Sequence, residues 1–198
     1  AAQRPYIGDD GRPSTGWHIA FGDIQNDGYD DIFIAKGNVQ QMPGNAIKDP
    51  NNLLIGQVDG SFVERGDVAG VASFHRGRGA ALVDLNNDGL LDLAVVNRRA
   101  PLQIWQNTTP TSKNWLGISL HQEGANTQAV GAWIEVDNTK SIQSREITVG
   151  GGHAGGTAVP QHFGLGDQKI VRLRIKWPHS KWSKWQHITS NQILKITR

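Results

Sequence analysis

Asp84-Leu85-Asn86-Asn87-Asp88-Gly89-Leu90-Leu91-Asp92 repeats an earlier stretch, Asp23-Ile24-Gln25-Asn26-Asp27-Gly28-Tyr29-Asp30-Asp31, at an offset of 61 residues with no gap. The match extends from Ile19 and Ala80 to Ile32 and Leu93. A β-type run follows each copy, Phe33-Ile34-Ala35 or Ala94-Val95-Val96, and then a third, Leu53-Leu54-Ile55 or Leu102-Gln103-Ile104-Trp105. In the first copy Asp59-Gly60 supplies a hairpin turn into Ser61-Phe62-Val63. Each repeat therefore predicts three or four antiparallel strands, the content of one propeller blade.

Both copies read D-x-[polar]-x-D-G-x-x-D. The first supplies Asp23, Gln25, Asp27, Tyr29 and Asp31; the second supplies Asp84, Asn86, Asp88, Leu90 and Asp92. Oxygens at positions 1, 3 and 5 of such a loop converge, the glycine permits the sharp turn, and the carbonyl of position 7 adds a ligand. Clustered carboxylates without a nearby Lys or Arg repel one another unless a cation sits among them. Hard oxygen donors in this number suit Ca²⁺ better than zinc or copper. An EF-hand would close with Glu at position 12, where this chain has Ile34 and Val95. The alternative is an ion-free Asx-rich turn, which favours the same residue types. Gln25 needs its longer arm folded back to reach an ion, so the first loop is expected to be the weaker site.

Composition bounds the rest. The chain has 198 residues and no cysteine, which excludes disulfides, thiolate nucleophiles and Cys-ligated metals. No apolar run approaches the roughly 18 residues of a membrane span. Ala1-Ala2 is compatible with a processed start. The formal charge of +2 sums two unlike halves. Residues 1–110 carry 9 Lys/Arg against 13 Asp/Glu, and residues 111–198 carry 11 against 5. Two modules are expected after an N-terminal arm over 1–14: two blade-like repeats over 15–109, and a second β domain over 115–198. The polar stretch Gln106–Asn114 reads as the linker, its centre at 110–114. Strands are predicted in the second domain at Trp115–Leu120, Ala132–Val136, Arg145–Val149, Ile170–Trp177 and Gln192–Ile196, a small sandwich or barrel.

The loops resemble those of FG-GAP/VCBS repeats. The second half resembles the ASPIC/UnbV domain, through Asn114-Trp115-Leu116, Glu123-Gly124-Ala125-Asn126, Val130-Gly131-Ala132, Gly150-Gly151-Gly152, His162-Phe163-Gly164-Leu165-Gly166 and Lys176-Trp177-Pro178. The two together, over about residues 15–198, are similar to the cartilage acidic protein 1-like family. That resemblance implies an all-β protein of two propeller-type blades followed by a sandwich or barrel. It also implies Ca²⁺ binding, protein contacts, an extracellular or periplasmic location and no catalytic activity. Two repeats fall short of the roughly 4–8 blades of a closed propeller. The chain is then a C-terminal fragment, or takes its remaining blades from another chain, or packs as an open sheet against a partner that covers its edges.

The basic tail is a second candidate site. Residues 169–198 hold 8 Lys/Arg and no acid. Alternation places Arg172, Arg174 and Lys176 opposite Val171, Leu173, Ile175 and Trp177. Lys181, Trp182, Lys184 and Trp185 follow. Either this is a solvated strand face with core tryptophans, or it docks a protein, a membrane complex or an acidic surface. Nucleic acid is not expected, because no binding module is recognisable.

Other motifs lead elsewhere. Gly150–Gly155 satisfies G-x-G-x-x-G but precedes Thr157-Ala158-Val159-Pro160, a poor helix start. His153 and His162 lack a third zinc ligand. Asn107-Thr108-Thr109 is a glycosylation triplet of the kind that arises by chance. The expected function is a non-enzymatic, exported, calcium-binding interaction module within a larger assembly. The alternatives are a periplasmic subunit docking on a membrane complex, or part of a carbohydrate-binding protein or enzyme whose active residues lie in missing blades.

Overall fold

The computed structural model describes residues 15–38, 49–153, 155–156 and 160–198. The expected N-terminal arm lies outside these. Every regular element among the described residues is a strand. The first repeat forms an antiparallel sheet from β1 (Gly16–Gly22), β2 (Asp31–Lys36), β3 (Asn52–Gly56) and β4 (Phe62–Glu64), in spatial order β1-β2-β3-β4. The second forms a sheet from β5 (Gly77–Val83), β6 (Asp92–Asn97) and β7 (Gln103–Trp105), in order β5-β6-β7. The expected turn closes with Gln57 and Ser61 bonded N–H to C=O at 2.9 Å and Gly60 at φ 80°.

Register extends the sequence repeat. Phe21 pairs with Ile32, and Leu82 pairs with Leu93. Both first strands carry a bulge at the equivalent place, between Gly16 and His18 and between Gly77 and Gly79. The bulged residues, Trp17 and Arg78, stack with the guanidinium 4.2 Å from the ring centre. β1 lies against β5, and the sheets share a core of Phe33, Ala35, Leu53, Leu93 and Val95.

The second half contains β8 (Asn114–His121), β9 (Trp133–Asp137), β10 (Ile142–Glu146), β11 (Gln161–Gly166), β12 (Ile170–Lys176), β13 (Gln186–Thr189) and β14 (Gln192–Thr197). They make two sheets, β10-β9-β12-β13 and β11-β8-β14, with β14 parallel to β8. Both sheets turn apolar faces to one core, including Leu116, Ile118, Ile134, Val136, Phe163 and Leu173. The barrel alternative does not hold, because the strands pair as two separate sheets.

Two local expectations shift. The strand expected at Arg145–Val149 is β10, which starts at Ile142 and ends at Glu146. The Asn138 side-chain oxygen accepts from the amides of Lys140 and Ser141 at 3.0 and 2.9 Å, and this tight turn brings Ile142 directly opposite Asp137. The expected linker is a strap. Asn107 donates through its side-chain amide to Ile24 and Leu91 carbonyls at 2.8 and 3.1 Å, and its own N–H reaches Asp92 at 2.8 Å. Asn114 already belongs to β8.

Candidate functional site

The acidic loops are the turns from β1 to β2 and from β5 to β6. Their main hydrogen bonds correspond. Asp23 accepts from the amides of Asp27 and Gly28 at 3.1 and 2.6 Å; Asp84 accepts from those of Asp88 and Gly89 at 3.1 and 2.8 Å. Asp27 accepts from the Tyr29 amide at 2.9 Å, and Asp88 from the Leu90 amide at 2.8 Å. The Gln25 side-chain amide donates to Asp27, and the Asn86 side-chain amide donates to Asp88 at 2.7 Å. Asn26 and Asn87 both adopt left-handed backbone, φ 59° and 61°, followed by Gly28 and Gly89 at 100° and 88°. Asn is the non-glycine residue that tolerates this region best.

The ninth position ties each loop to its repeat. Asp31 accepts from Ile24 and Gly56 amides, both at 2.8 Å, and Asp92 from Leu85 and Asn107 amides at 3.0 and 2.8 Å. Each carboxylate oxygen keeps a second lone pair for another donor or an ion.

The loops differ in what covers them. Loop one is packed beneath β11: Asp23 is 1% exposed and Asp31 is fully buried. Burial is the main cause that pushes the Asp23 carboxyl up to about 7, with Asp27 and Asp31 adding repulsion against the two amide bonds. Asp31 rises to about 6, again chiefly by burial. Asp88 in loop two is exposed. The covering strand approaches so closely that a Cβ on Gly164 would lie 1.8 Å from Asp23 Oδ2.

Asn26 is the hub of this junction, a role that the reading of the acidic turns had not assigned to it. Its amide donates to the Gly89 carbonyl at 2.8 Å, its side-chain oxygen meets His162 Nε2 at 2.7 Å, and its carbonyl accepts from Gly166 N–H at 2.9 Å. His162 stacks on Trp115, and burial lowers its pKa to about 4, so it is neutral and donates from Nε2. Trp115 lies across Gly89, where a Cβ would come within 1.9 Å of its Nε1. Arg145 pairs with Asp30 from the other side. The second domain thus grips both loops. The available signal was a paired Asn at position 4 of each copy.

A cleft of about 490 Å³ opens where β1, β5 and the second domain meet, lined in part by Phe21, Asp84, Trp115, Arg145 and His162. Among the described residues of the glycine run, Gly151 bridges Gly155 and none is helical. Gly152 packs on buried His18 so tightly that a Cβ would lie 1.9 Å from Nδ1. His153 meets Trp17 edge-on instead of joining His162.

The tail divides as its alternation predicts, but its arginines are engaged. Arg172 pairs with Asp137, and Arg174 with Glu135. Residues 181–185 run back beside β12, with Ser183 N–H bonded to the Ile175 carbonyl at 2.8 Å. Trp182 and Trp185 lie 4.6 and 4.4 Å from the Arg174 guanidinium, and Arg172 also faces Trp185. Trp177 packs on the core. Lys176, Lys181 and Lys184 are exposed. The outer face is therefore a neutralised arginine–tryptophan stack bordered by lysines.

This architecture defines an all-β protein in which a two-sheet domain closes over a pair of repeated acidic turns. Residues 122–198 match the family model described as ASPIC and UnbV, so the second half carries an ASPIC/UnbV domain. The structural unit is longer than that match, since β8, which contributes Leu116 and Ile118 to the core, precedes it. The chain is also similar to cartilage acidic protein 1 of Xenopus tropicalis, 30% identical over 110 residues, and to those of Mus musculus and Homo sapiens, at 29% and 28%. Each similarity covers 54% of this chain but only 16–17% of the relative, so the chain spans about a sixth of those proteins.

Proposed function

We propose that this chain is a non-enzymatic, exported, calcium-binding interaction module of a larger assembly. The observation that carries it is loop one. Three carboxylates crowd one turn, and two of them are removed from water and held towards their protonated form. A hard divalent cation satisfies the remaining lone pairs of Asp23, Asp27 and Asp31, with Gln25 and the Tyr29 carbonyl completing an oxygen shell. Asp84, Asn86, Asp88, the Leu90 carbonyl and Asp92 offer the same set in loop two. The FG-GAP/VCBS resemblance supports this reading and the export that goes with it. Because the ASPIC/UnbV domain grips both loops, bound ions stiffen the junction that fixes the two units together.

Calorimetric titration of the chelated chain with Ca²⁺ tests this. Two sites are expected, with the exposed second loop filling faster, and Asp84→Asn should remove one of them. A melting temperature unaffected by either EGTA or excess Ca²⁺ would sink the proposal.

A further inference from the structure

The 61-residue offset also compares the ends of the two repeats that lie away from the acidic turns. There β1 begins and β2 ends, and β5 begins and β6 ends. The first repeat closes with the Gly37 N–H on the Thr15 carbonyl at 3.3 Å, and the second with the Arg98 N–H on the Arg76 carbonyl at 2.8 Å. Thr15, Trp17 and Gly37 of the first repeat thus correspond to Arg76, Arg78 and Arg98 of the second. One copy closes with neutral residues and the other with three arginines, so the strand ends themselves do not require the charge.

Charge is costly at this place. Arg78 Nη1 donates to the Gly37 and Gly77 carbonyls at 2.8 and 2.7 Å, and the Gly37 carbonyl also accepts from Trp17 Nε1 at 2.6 Å. Arg78 Nη2 and Arg98 Nη1 are shut off from solvent and find no acceptor among the described residues. No carboxylate among those residues pairs with Arg76, Arg78 or Arg98. Burial first, and then the charges of Arg98 and Arg76, hold the Arg78 guanidinium below its ordinary pKa. Buried charges are normally paired, and buried donors without a partner call for an ion or a water. A water fills a hydrogen bond but leaves the repulsion among three cations in place.

We infer that the Arg76/Arg78/Arg98 cluster binds a free inorganic dianion, phosphate or sulfate. Guanidinium forks match the oxygens of such ions, and two negative charges offset three cations better than the single charge of a carboxylate. The occupant is a small ion and not a segment of another unit, because this chain's own residues already hide both orphan donors. The three arginines are only half-buried, which leaves the ion a way in. Once bound, the ion links Arg98 at the end of β6 to Arg78, and through Arg78 to Trp17 and Gly37 of the first repeat. The site lies at the opposite strand ends from the acidic turns, so it is independent of whether those turns hold calcium.

Calorimetric titration of the full chain in chloride buffer at constant ionic strength tests it, with inorganic phosphate and inorganic sulfate as probes. Each ion should fill one site per chain. Arg98→Gln should weaken binding at least about tenfold, the worth of a charged hydrogen bond. Arg99→Gln removes an exposed neighbouring charge and should bind as the wild type does. Glycerol 2-phosphate, a bulkier ester, should bind more weakly than phosphate. Saturable binding of neither ion by the wild type overturns the inference, whatever the variants do. So does equal weakening by Arg98→Gln and Arg99→Gln, which would show general charge attraction only. Tighter binding of the ester overturns the assignment of a free ion.

Discussion

Replacing Asn26 by Ala separates what the acidic turn needs from what the domain junction needs, because Asn87 is its internal control. Both residues sit at φ near 60° in the same position of the repeat. Placing Ala in that region costs about 1–2 kcal/mol. Asn87 is exposed, so Asn87→Ala should lose little more than this. Asn26 is 1% exposed, and its loss strands the Gly89 carbonyl and His162 Nε2, each about 1–3 kcal/mol when buried and unpaired. Asn26→Ala should therefore cost about 3–8 kcal/mol, exceeding Asn87→Ala by at least about 2 kcal/mol. At about 2–4 °C per kcal/mol for a chain of this size, that is a melting difference of at least about 4 °C. Asn26→Gly keeps the backbone conformation but loses both bonds, and should fall between the two. Thermal melts in calcium-free buffer, checked by urea titration, provide the assay. Equal losses for Asn26→Ala and Asn87→Ala would refute the reasoning, since they would show that the junction bonds contribute nothing.

Gly164→Ala should destabilise by about 1–3 kcal/mol or more, as overpacking does, because its methyl meets the buried Asp23 carboxylate and the Asn26 backbone; a wild-type melt would contradict the close approach of β11. Asp23 should titrate near pH 7 and Asp31 near 6 in calcium-free protein, read by carboxyl carbon NMR. Since both values exceed the unfolded one, their contribution to stability is complete below about pH 4 and is lost as pH rises through 6 to 7. His162 runs the other way: its contribution is complete above about pH 6.5 and is lost as pH falls through 4, and its ring protons report this directly. Midpoints in the ordinary ranges would show that these groups are open to water. Trp182→Ala should redshift no core tryptophan and should cost about 0.5–2 kcal/mol, the value of a cation–π contact; global unfolding would mean that Trp182 supports the core.

The strands were readable because their signals are local. Alternation in Ile170–Lys176 sets which side chains face the core, and Asp-Gly and Asn-Asp-Gly set where the chain turns. The repeat was legible as two equivalent turns, since the bonds between Asp23 and Gly28 and between Asp84 and Gly89 close within each turn, whereas the Gly56 and Asn107 amides that reach Asp31 and Asp92 come from outside it. The contacts of the connecting segment were not legible because polar residues without periodicity read the same whether they are solvated or, like Asn107, committed to carbonyls of both loops.

The amino-acid sequence alone determined an all-β chain, two equivalent acidic turns, and a second domain with a strictly alternating basic strand. The tertiary structure decided that Asp23 and Asn26 of the first turn are buried while Asn87 and Asp88 of the second are exposed, although the turns' residues are nearly the same. It also decided that Arg172 and Arg174 are partnered. Turn chemistry and strand alternation depend on neighbours a few residues away. Burial of Asp23 depends on Gly164, and the pairing of Arg174 on Glu135, contacts between residues far apart in the chain that exist only once β11 and β9 have found their places.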